Sequence, residues 1–358
     1  MINKRLEYLD IIRVVACLMV IVMHAPISGD GAMTHGSFLV FTSYLTAPCV
    51  PLFFMVSGAL LLPCREGITA RAYLAKRIGK IVGPTVCFSL FYIVLNIRQM
   101  EIGGGKTILL NLLSIPFSAQ GHGILWFMYT LMGLYLLVPI LSPWIRRASK
   151  HEIELYLVLW FVTLLYPYIG LLLQCNTGNT GVLYYFSGYV GYFLLGHYLS
   201  RNMLPLKVLL PVSLFVLPLP LFNKLLGWGL DFYTAFWYLS APVAILTASW
   251  FCCIKRFFST VGMRLSSLTK ALTVVSNLSF GIYLVHIFVM RTLLWNWSFI
   301  YSIKNYYLQT FIIIVLTFMG SFVIVYLLSR LPLSQYIIGY TVRRKESVSY
   351  THLRTHET

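Results

Sequence analysis

Long apolar runs separated by short polar segments make up most of this sequence. A helix that crosses a membrane needs about 20 mainly apolar residues, and this length predicts about ten spans along the chain. The predicted spans are residues 8–27, 38–62, 81–97, 124–143, 153–173, 182–199, 208–226, 232–252, 272–290 and 306–328. The pattern therefore predicts an all-α fold, a polytopic helical bundle embedded in a membrane.

The third and seventh runs, residues 81–97 and 208–226, match the pattern of a span less well than the others. The seventh run contains Pro211, Pro218 and Pro220. Proline removes a backbone donor and clashes with the preceding turn of a helix. Such breaks are tolerated in a membrane where neighbouring helices satisfy the freed carbonyl groups. We therefore expect the seventh run to form a broken or kinked helix.

The distribution of Lys and Arg between the runs predicts the orientation, because cytoplasmic loops carry an excess of both residues. If the N-terminus is cytoplasmic, 21 of the 27 basic residues fall on the cytoplasmic side and 5 on the other, with Arg13 inside the first span. This asymmetry predicts that both termini are cytoplasmic. It also favours an even number of spans, because removing one span would place every later loop on the opposite side of the membrane.

Composition supports the membrane prediction and excludes other classes of protein. The chain is 59% hydrophobic and 10% charged, with a mean hydropathy of +0.80, which excludes a soluble enzyme. A net charge of +17 would suit a nucleic-acid binder, but the charges cluster between apolar runs, so we expect membrane lipid and no nucleic acid as partner. The seven cysteines imply no disulfide framework, and no His, Cys and carboxylate cluster predicts a metal site.

The sequence predicts one membrane domain over residues 1–346, followed by a polar tail over residues 347–358. The first run follows two basic residues, as in a signal peptide, but it carries Asp10 and Arg13 and lacks an A-x-A-like cleavage site. We therefore expect it to be retained. The tail resembles a translated adapter sequence, so its native origin stays open, and it is left out of the functional argument.

The first span contains three ionisable residues, Asp10, Arg13 and His24. Each costs roughly 2.5–3.5 kcal/mol at a helix centre if nothing compensates it. At 100° per residue all three lie on one helix face, with Arg13 and His24 separated by roughly 16 Å along the axis. One hypothesis is a structural polar lock, with Asp10 and Arg13 as a buried ion pair. The other is that His24 acts as a general base in a water-accessible cavity.

Four segments together resemble the patterns of the acyltransferase-3 family of integral membrane acyltransferases. They are Leu9-Asp10-x-x-Arg13 with His24, Pro51-Leu-Phe-Phe-Met-Val-Ser57-Gly58, His122-Gly-Ile-Leu-Trp126-Phe with Tyr135-Leu-Leu-Val-Pro139, and Ser279-Phe-Gly281-Ile-Tyr283-Leu-Val-His286. The resemblance extends from Glu7 to Leu331. Within the family, the chain resembles the branch that contains the enterobacterial common antigen and surface polysaccharide O-acetyltransferases.

This resemblance implies transfer of an acyl group, usually acetyl from acetyl-CoA, to a hydroxyl of an envelope glycan or lipid-linked sugar at a bacterial inner membrane. Acyl-CoA is then a co-substrate, and no permanently bound cofactor is expected. The resemblance also implies that Arg13 and His24 are needed for activity. Because Asp10 lies one turn before Arg13, we expect it to orient Arg13. Val14 stands where the family often has glycine, a departure that bears on how closely another helix can approach at that point. The chain also shows no appended esterase-like domain, so we expect the membrane domain to complete the transfer itself.

The other residues in the matching segments have two interpretations each. Ser57 and its neighbour Gly58 fit a small-residue helix crossing, or Ser57 lines the substrate cavity as a nucleophile. His122 and Trp126 fit an aromatic belt at the membrane interface, or line the acceptor cavity. The remaining candidates fit packing with a satisfied core histidine, or a second wall of the active site: Gly281, Tyr283 and His286. No motif includes His197, which we expect to be structural.

A basic run follows the second span and consists of Arg71, Lys76, Arg77 and Lys80. Topology and contact with anionic lipid explain such a run. The functional hypothesis is a cradle for the 3′-phosphate and pyrophosphate of coenzyme A, which is made inside the cell.

Two functions from other classes stay open. A glycolipid or polysaccharide transporter or flippase also needs a polar face within a bundle of broken helices. A catalytically inactive scaffold of a glycan-assembly complex is the third hypothesis, and the presence of both Arg13 and His24 argues against it.

Overall fold

A computed structural model describes residues 7–27, 36–99, 104–119, 123–174, 181–261 and 266–341. Within these ranges the regular structure is helical and includes no strand, which confirms the all-α prediction. The α-helices are α1 (Glu7–His24), α2 (Gly36–Thr46), α3 (Cys49–Leu61), α4 (Ala70–Arg98), α5 (Gly105–Ser114), α6 (Trp126–Arg147), α7 (Lys150–Thr163), α8 (Tyr166–Leu173), α9 (Val190–Arg201), α10 (Leu206–Val216), α11 (Leu219–Leu226), α12 (Phe232–Ala235), α13 (Ala241–Val261), α14 (Ser266–Ile287), α15 (Ser298–Ser302), α16 (Tyr306–Leu328) and α17 (Gln335–Ile338).

Within the described ranges, seven helices are long and apolar enough to cross a membrane. They are Gly36–Leu61, Ala70–Arg98, Trp126–Arg147, Leu206–Leu226, Ala241–Ser259, Ala271–Leu294 and Tyr306–Leu328. Three of these spans join neighbouring elements, namely α2 with α3, α10 with α11, and α14 with the π-helix that follows it. The pair α7 and α8, bent by 46°, makes an eighth if it forms one broken span. These helices confirm a polytopic helical membrane fold. They do not confirm the predicted count of ten, and the side on which each terminus lies stays a prediction.

Two of the predicted spans, residues 8–27 and 182–199, are absent from this set. The first forms α1, which carries three charged residues within its 18 residues. The second contains a 3₁₀ turn at Tyr184–Phe186 and most of α9, whose 12 residues are too short to cross a bilayer. Residues 232–252 also differ from the prediction, because the long helix α13 begins only at Ala241.

Helix α1 lies in the interior of the bundle and packs against α2, α3, α13, α14 and α16. Three of its apolar side chains, those of Leu9, Ile12 and Ala16, are at most 2% exposed. Because protein surrounds this helix, its ionisable residues face other helices and cavities, which is where such residues occur in membrane proteins.

A close crossing of α3 and α9 depends on glycine. A Cβ atom at Gly58 would overlap the backbone carbonyl of Phe193, and one at Gly196 would overlap that of Met55. Gly58, in the segment from Pro51 to Gly58 that matches the family, therefore lies at a helix crossing that only a small residue allows.

Proline and π-helical geometry interrupt two of the long helices. The predicted break in the seventh run is confirmed, because α10 ends at Val216 and α11 begins after Pro218. Helix α14 continues as a π-helix over Phe288–Leu294. At its end the backbone N–H of Trp295 donates to the backbone carbonyl of Met290 at 2.9 Å. π-Helical turns of this kind occur frequently at functional sites.

Helix α4 begins eleven residues before the predicted third span. Thr69 caps it, accepting a hydrogen bond from the Ala72 N–H at 3.3 Å. The predicted basic run, whose four side chains are all exposed, therefore belongs to the first turns of a helix rather than to a loop.

Candidate active site

A cavity of about 930 Å³ is lined in part by His24, and we refer to it as the histidine cavity. It is lined from α1, α3, α4, α6 and α14, together with residues of the connecting segments and the π-helix. Its lining residues include Met23, His24, Tyr92, Asn96, Gln99, Trp126, Phe127, Tyr238, Tyr283, His286, Arg291, Thr292, Trp295 and Asn296.

Two histidines from distant parts of the chain meet in this cavity. The rings of His24 and His286 have centroids 5.7 Å apart and are tilted by 41°. His24 lies at the C-terminal end of α1, whereas His286 lies near the end of α14 and is 1% exposed. The Nδ1–H of His286 donates to the backbone carbonyl of Tyr283 at 2.5 Å.

Aromatic rings form much of the remaining wall. The ring of Trp126 lies 5.5 Å from that of Tyr238 and 5.7 Å from that of Tyr189. Trp295 lies under the guanidinium of Arg291, with 5.5 Å between the cation and the ring centre. The indole N–H of Trp295 is buried and makes no hydrogen bond to the described residues. Amide and hydroxyl groups between these rings give the cavity the mixed surface that binds a polar ligand with flat apolar faces.

A second cavity of about 240 Å³ lies toward the N-terminal ends of α1 and α4, and we refer to it as the basic cavity. It is lined by Arg13, Phe53, Ser57, Arg77, Lys80, Ile81, Phe127, Leu131, Tyr135, Ser276, Asn277, Ser279, Phe280, Tyr283 and Gly339. These described lining residues include three cations and no carboxylate. Such a surface attracts an anion.

Asp10 and Arg13 lie close together next to the basic cavity. Nη1 of Arg13 is 3.8 Å from Oδ1 of Asp10, which allows an ion pair but is long for a hydrogen bond. The same carboxylate oxygen accepts a hydrogen bond of 2.7 Å from the Ser276 hydroxyl. Asp10 is 5% exposed, so α14 supplies part of the polar contact that this buried carboxylate needs.

The two cavities share two wall residues, Phe127 and Tyr283. Their rings meet edge to face with centroids 5.2 Å apart. Arg13 lines one cavity and His24 the other, which agrees with the expectation from helix geometry that these residues serve different levels of the bundle.

The structure brings together some of the predicted site residues and separates others. Trp126, Tyr283 and His286 line the histidine cavity with His24, and Ser57 lines the basic cavity with Arg13. Of the predicted phosphate cradle, Arg77 and Lys80 line the basic cavity, whereas Arg71 and Lys76 are exposed elsewhere on α4 and line neither cavity. His122 lies outside the described residues.

His197, expected to be structural, is held in the core. It is 3% exposed, and its Nδ1 lies 2.8 Å from the Leu62 carbonyl and 2.7 Å from Nη1 of Arg201. The Leu62 carbonyl can accept from Nδ1–H, and Nη1 of Arg201 also lies 3.4 Å from Nε2, so each ring nitrogen has a partner within reach.

Sequence reasoning missed several residues of both cavities. Phe127 and Tyr135 stand within or beside the segments that match the family, so a signal was present. Arg291 and Ser276 flank the last matching segment but belong to no pattern in it. Asn96 and Gln99 come from the end of α4, and nothing in their local sequence sets them apart.

Among the described residues, no group of three or more His, Cys, Asp and Glu side chains has the arrangement of a metal site.

The family model described as "Acyltransferase domain" matches residues 6–330. Comparison with curated proteins gave no match, and comparison with solved structures gave none.

Proposed function

The chain belongs to the acyltransferase-3 family, and from that premise we propose an O-acyltransferase that moves an acyl group, acetyl in particular, from acyl-CoA to a hydroxyl of an envelope glycan or lipid-linked sugar. One observation carries the proposal. A cationic cavity and a cavity with a histidine pair lie back to back inside the bundle and meet at Phe127 and Tyr283. The arrangement suits a donor and an acceptor that approach from opposite halves of the bundle.

The basic cavity suits the donor. Coenzyme A carries a 3′-phosphate and a pyrophosphate, and guanidinium and ammonium groups bind phosphate strongly. Arg77 and Lys80 supply these groups in our proposal, and Arg71 and Lys76 do not. The predicted cytoplasmic location of this end of α4 agrees with the compartment in which acyl-CoA is made.

The histidine cavity suits a sugar acceptor. Trp126 and Trp295 offer flat faces for the apolar side of a sugar ring, and the amides of Asn96 and Gln99 can bond to its hydroxyl groups. The unpartnered indole N–H of Trp295 is a further donor for a sugar oxygen. The acceptor hydroxyl then reaches His24 at the inner end of the cavity.

His24 acts as the general base in this proposal. It takes the proton of the acceptor hydroxyl while the hydroxyl oxygen attacks the thioester carbonyl carbon. The new ester C–O bond forms as the C–S bond breaks, and the proton passes from His24 to the departing thiolate of coenzyme A. Arg13, oriented by Asp10, holds the donor and does not contact the reacting carbon.

Purified protein in lipid nanodiscs tests the proposal when it is given acetyl-CoA and envelope glycan. We expect release of free coenzyme A thiol together with an alkali-labile acetyl ester on the glycan, at equal amounts. A transporter or flippase would instead move glycolipid between leaflets in liposomes without consuming acetyl-CoA. Absence of both thiol and ester with every envelope glycan fraction would contradict the proposal.

A further inference from the structure

His286 uses only one of its two ring nitrogens within the described structure. Its Nδ1 lies 2.5 Å from the Tyr283 carbonyl. Because a carbonyl oxygen only accepts, Nδ1 must carry the hydrogen, and in the neutral ring Nε2 then holds a lone pair. That Nε2 atom is buried and makes no hydrogen bond with any residue that the structure describes.

An unpartnered acceptor in the interior of a protein is unfavourable and needs an explanation. Packing alone does not supply one, since an apolar side chain would fill the same volume without burying a lone pair. The hydrogen bond to the Tyr283 carbonyl explains Nδ1 and leaves Nε2 unexplained. A group that donates to Nε2 at some stage of the reaction would explain it.

Among the described residues, the ring that contacts His286 from another helix is that of His24. The two centroids are 5.7 Å apart, and both residues line the histidine cavity. The other ring near His286, that of Tyr283, belongs to the same helix and already provides its carbonyl to Nδ1. His24 has two ring nitrogens, of which only one is needed to take a proton from an acceptor hydroxyl.

We propose that His286 is a positioning residue whose Nε2 accepts a hydrogen bond from the N–H of His24. This inference rests on the proposed function. The bond would hold His24 in the tautomer that presents its other nitrogen to the acceptor hydroxyl, and it would stabilise the imidazolium that forms when the hydroxyl proton arrives. The proton stays on His24 until the thiolate takes it, so His286 neither gains nor loses a proton.

Two amide substitutions separate this role from packing. In His286→Gln the amide reaches the position of Nε2, where its oxygen can accept from His24. In His286→Asn the shorter amide reaches only the position of Nδ1, so it keeps the contact with the Tyr283 carbonyl and removes the distal acceptor. The two variants are similar in polarity, and each keeps one of the two contacts.

The measurement is kcat and KM for acetyl-CoA in nanodiscs, with protein level and Tm as checks on folding. We expect His286→Asn to lower kcat about ten- to a hundredfold, the usual effect of removing a group that orients a reactive side chain. KM should stay unchanged, because the donor phosphates bind in the other cavity. His286→Gln should retain most of the activity. Equal kcat in the Asn and Gln variants, whether both are active or both inactive, would overturn the role of Nε2.

A double substitution tests whether His286 acts through His24. If it does, adding His286→Asn to His24→Ala should lower the residual rate no further, because residues that act as one unit are not additive. A further drop equal to that in the single His286→Asn variant would mean that His286 acts independently. An inactive unsubstituted protein would contradict the proposed function itself, whereas an active protein with equal Asn and Gln variants would contradict only the positioning role.

Discussion

The ionisable residues of α1 separate into two environments. His24 lies at the C-terminal end of the helix, in the histidine cavity, whereas Asp10 and Arg13 lie near its beginning, where the Ser276 hydroxyl binds Asp10 at 2.7 Å. Removing Arg13 leaves a buried carboxylate that has lost a cation, which destabilises a fold. Removing His24 leaves no such charge. Loss of function at His24 can therefore be measured without loss of the fold.

His24→Ala should lower acyl transfer by about 10²- to 10⁴-fold, the usual contribution of a general base. Protein level and membrane insertion should stay unchanged. The measurement is acetyl ester on the glycan together with thiol release from acetyl-CoA. His151→Ala is the matched control, because His151 lies on α7 with its side chain 91% exposed and should have no effect. Unchanged ester formation in the His24→Ala variant would contradict the general-base role.

At the scale of elements, two of the four basic residues near the start of α4 line the basic cavity. Arg77 and Lys80 are three residues apart and therefore share a face of the helix. Arg71 lies about half a turn from Lys80 around the axis at 100° per residue, which agrees with its position outside the cavity lining. Lys76 lies four residues before Lys80 and so shares its side of the helix. Helix face therefore sets Arg71 apart, whereas the position of Lys76 outside the cavity lining depends on packing.

Arg77→Gln with Lys80→Gln should raise KM for acetyl-CoA with little change in kcat. Contacts to phosphates far from the thioester are equally strong in the ground state and the transition state, and uniform binding of this kind affects KM alone. A charge-assisted hydrogen bond contributes roughly 1.5–3 kcal/mol, so loss of one such bond corresponds to about tenfold or more in KM. Steady-state kinetics with acetyl-CoA provide the measurement.

Arg71→Gln with Lys76→Gln is the matched control, because it removes the same charge from the same helix outside the cavity. We expect it to leave KM unchanged. For a truncated thioester donor that lacks the nucleotide, KM should be the same in the unsubstituted protein and in the Arg77 and Lys80 double variant. If both double variants raise KM equally, the basic run secures topology and lipid contact and does not bind the donor phosphates.

At the scale of the whole molecule, the aromatic pair of Phe127 from α6 and Tyr283 from α14 forms the wall between the two cavities. In the proposed function the donor phosphates bind on one side of this wall and His24 lies on the other. The thioester must therefore approach His24 past these two rings. The space between them then limits the size of the acyl group that can be transferred.

Phe127→Ala should shift the acyl preference toward longer chains. Truncating this ring opens the wall, so kcat/KM for butyryl-CoA should rise relative to that for acetyl-CoA. The measurement is the ratio of the two kcat/KM values. Ile81→Ala is the control, because Ile81 lines the basic cavity but not the histidine cavity, and its ratio should not change. An unchanged ratio in Phe127→Ala would show that these rings do not select the acyl group.

The orientation of the whole bundle is testable without any activity. Single cysteines at Lys106 and Ser149 in a cysteine-free background should label oppositely with an impermeant thiol reagent. The predicted topology places Lys106 outside, so it should react in intact cells, whereas Ser149 should react only after permeabilisation. The reverse pattern would contradict the orientation on which the donor side depends.

The sequence by itself determined the class of fold and the family. Apolar run length and helical period are local properties, so they predicted a membrane-embedded helical bundle, the break near Pro218 and the common face of Asp10, Arg13 and His24. Segment patterns identified the acyltransferase family. Run length did not decide the number of spans, because α1 carries three charges among its 18 residues and residues 182–199 include most of α9, whose 12 residues are too short to cross a bilayer.

Only the tertiary structure decided which of these residues meet. The contact between His24 and His286 joins α1 to α14, and the wall of Phe127 and Tyr283 joins α6 to α14. Spacing within one helix reports which residues share a face, but not which helix packs against that face. The same limit explains why the basic run could not be divided from sequence into residues that line the cavity and residues that do not. These contacts depend on how the helices pack, which is a property of the whole chain.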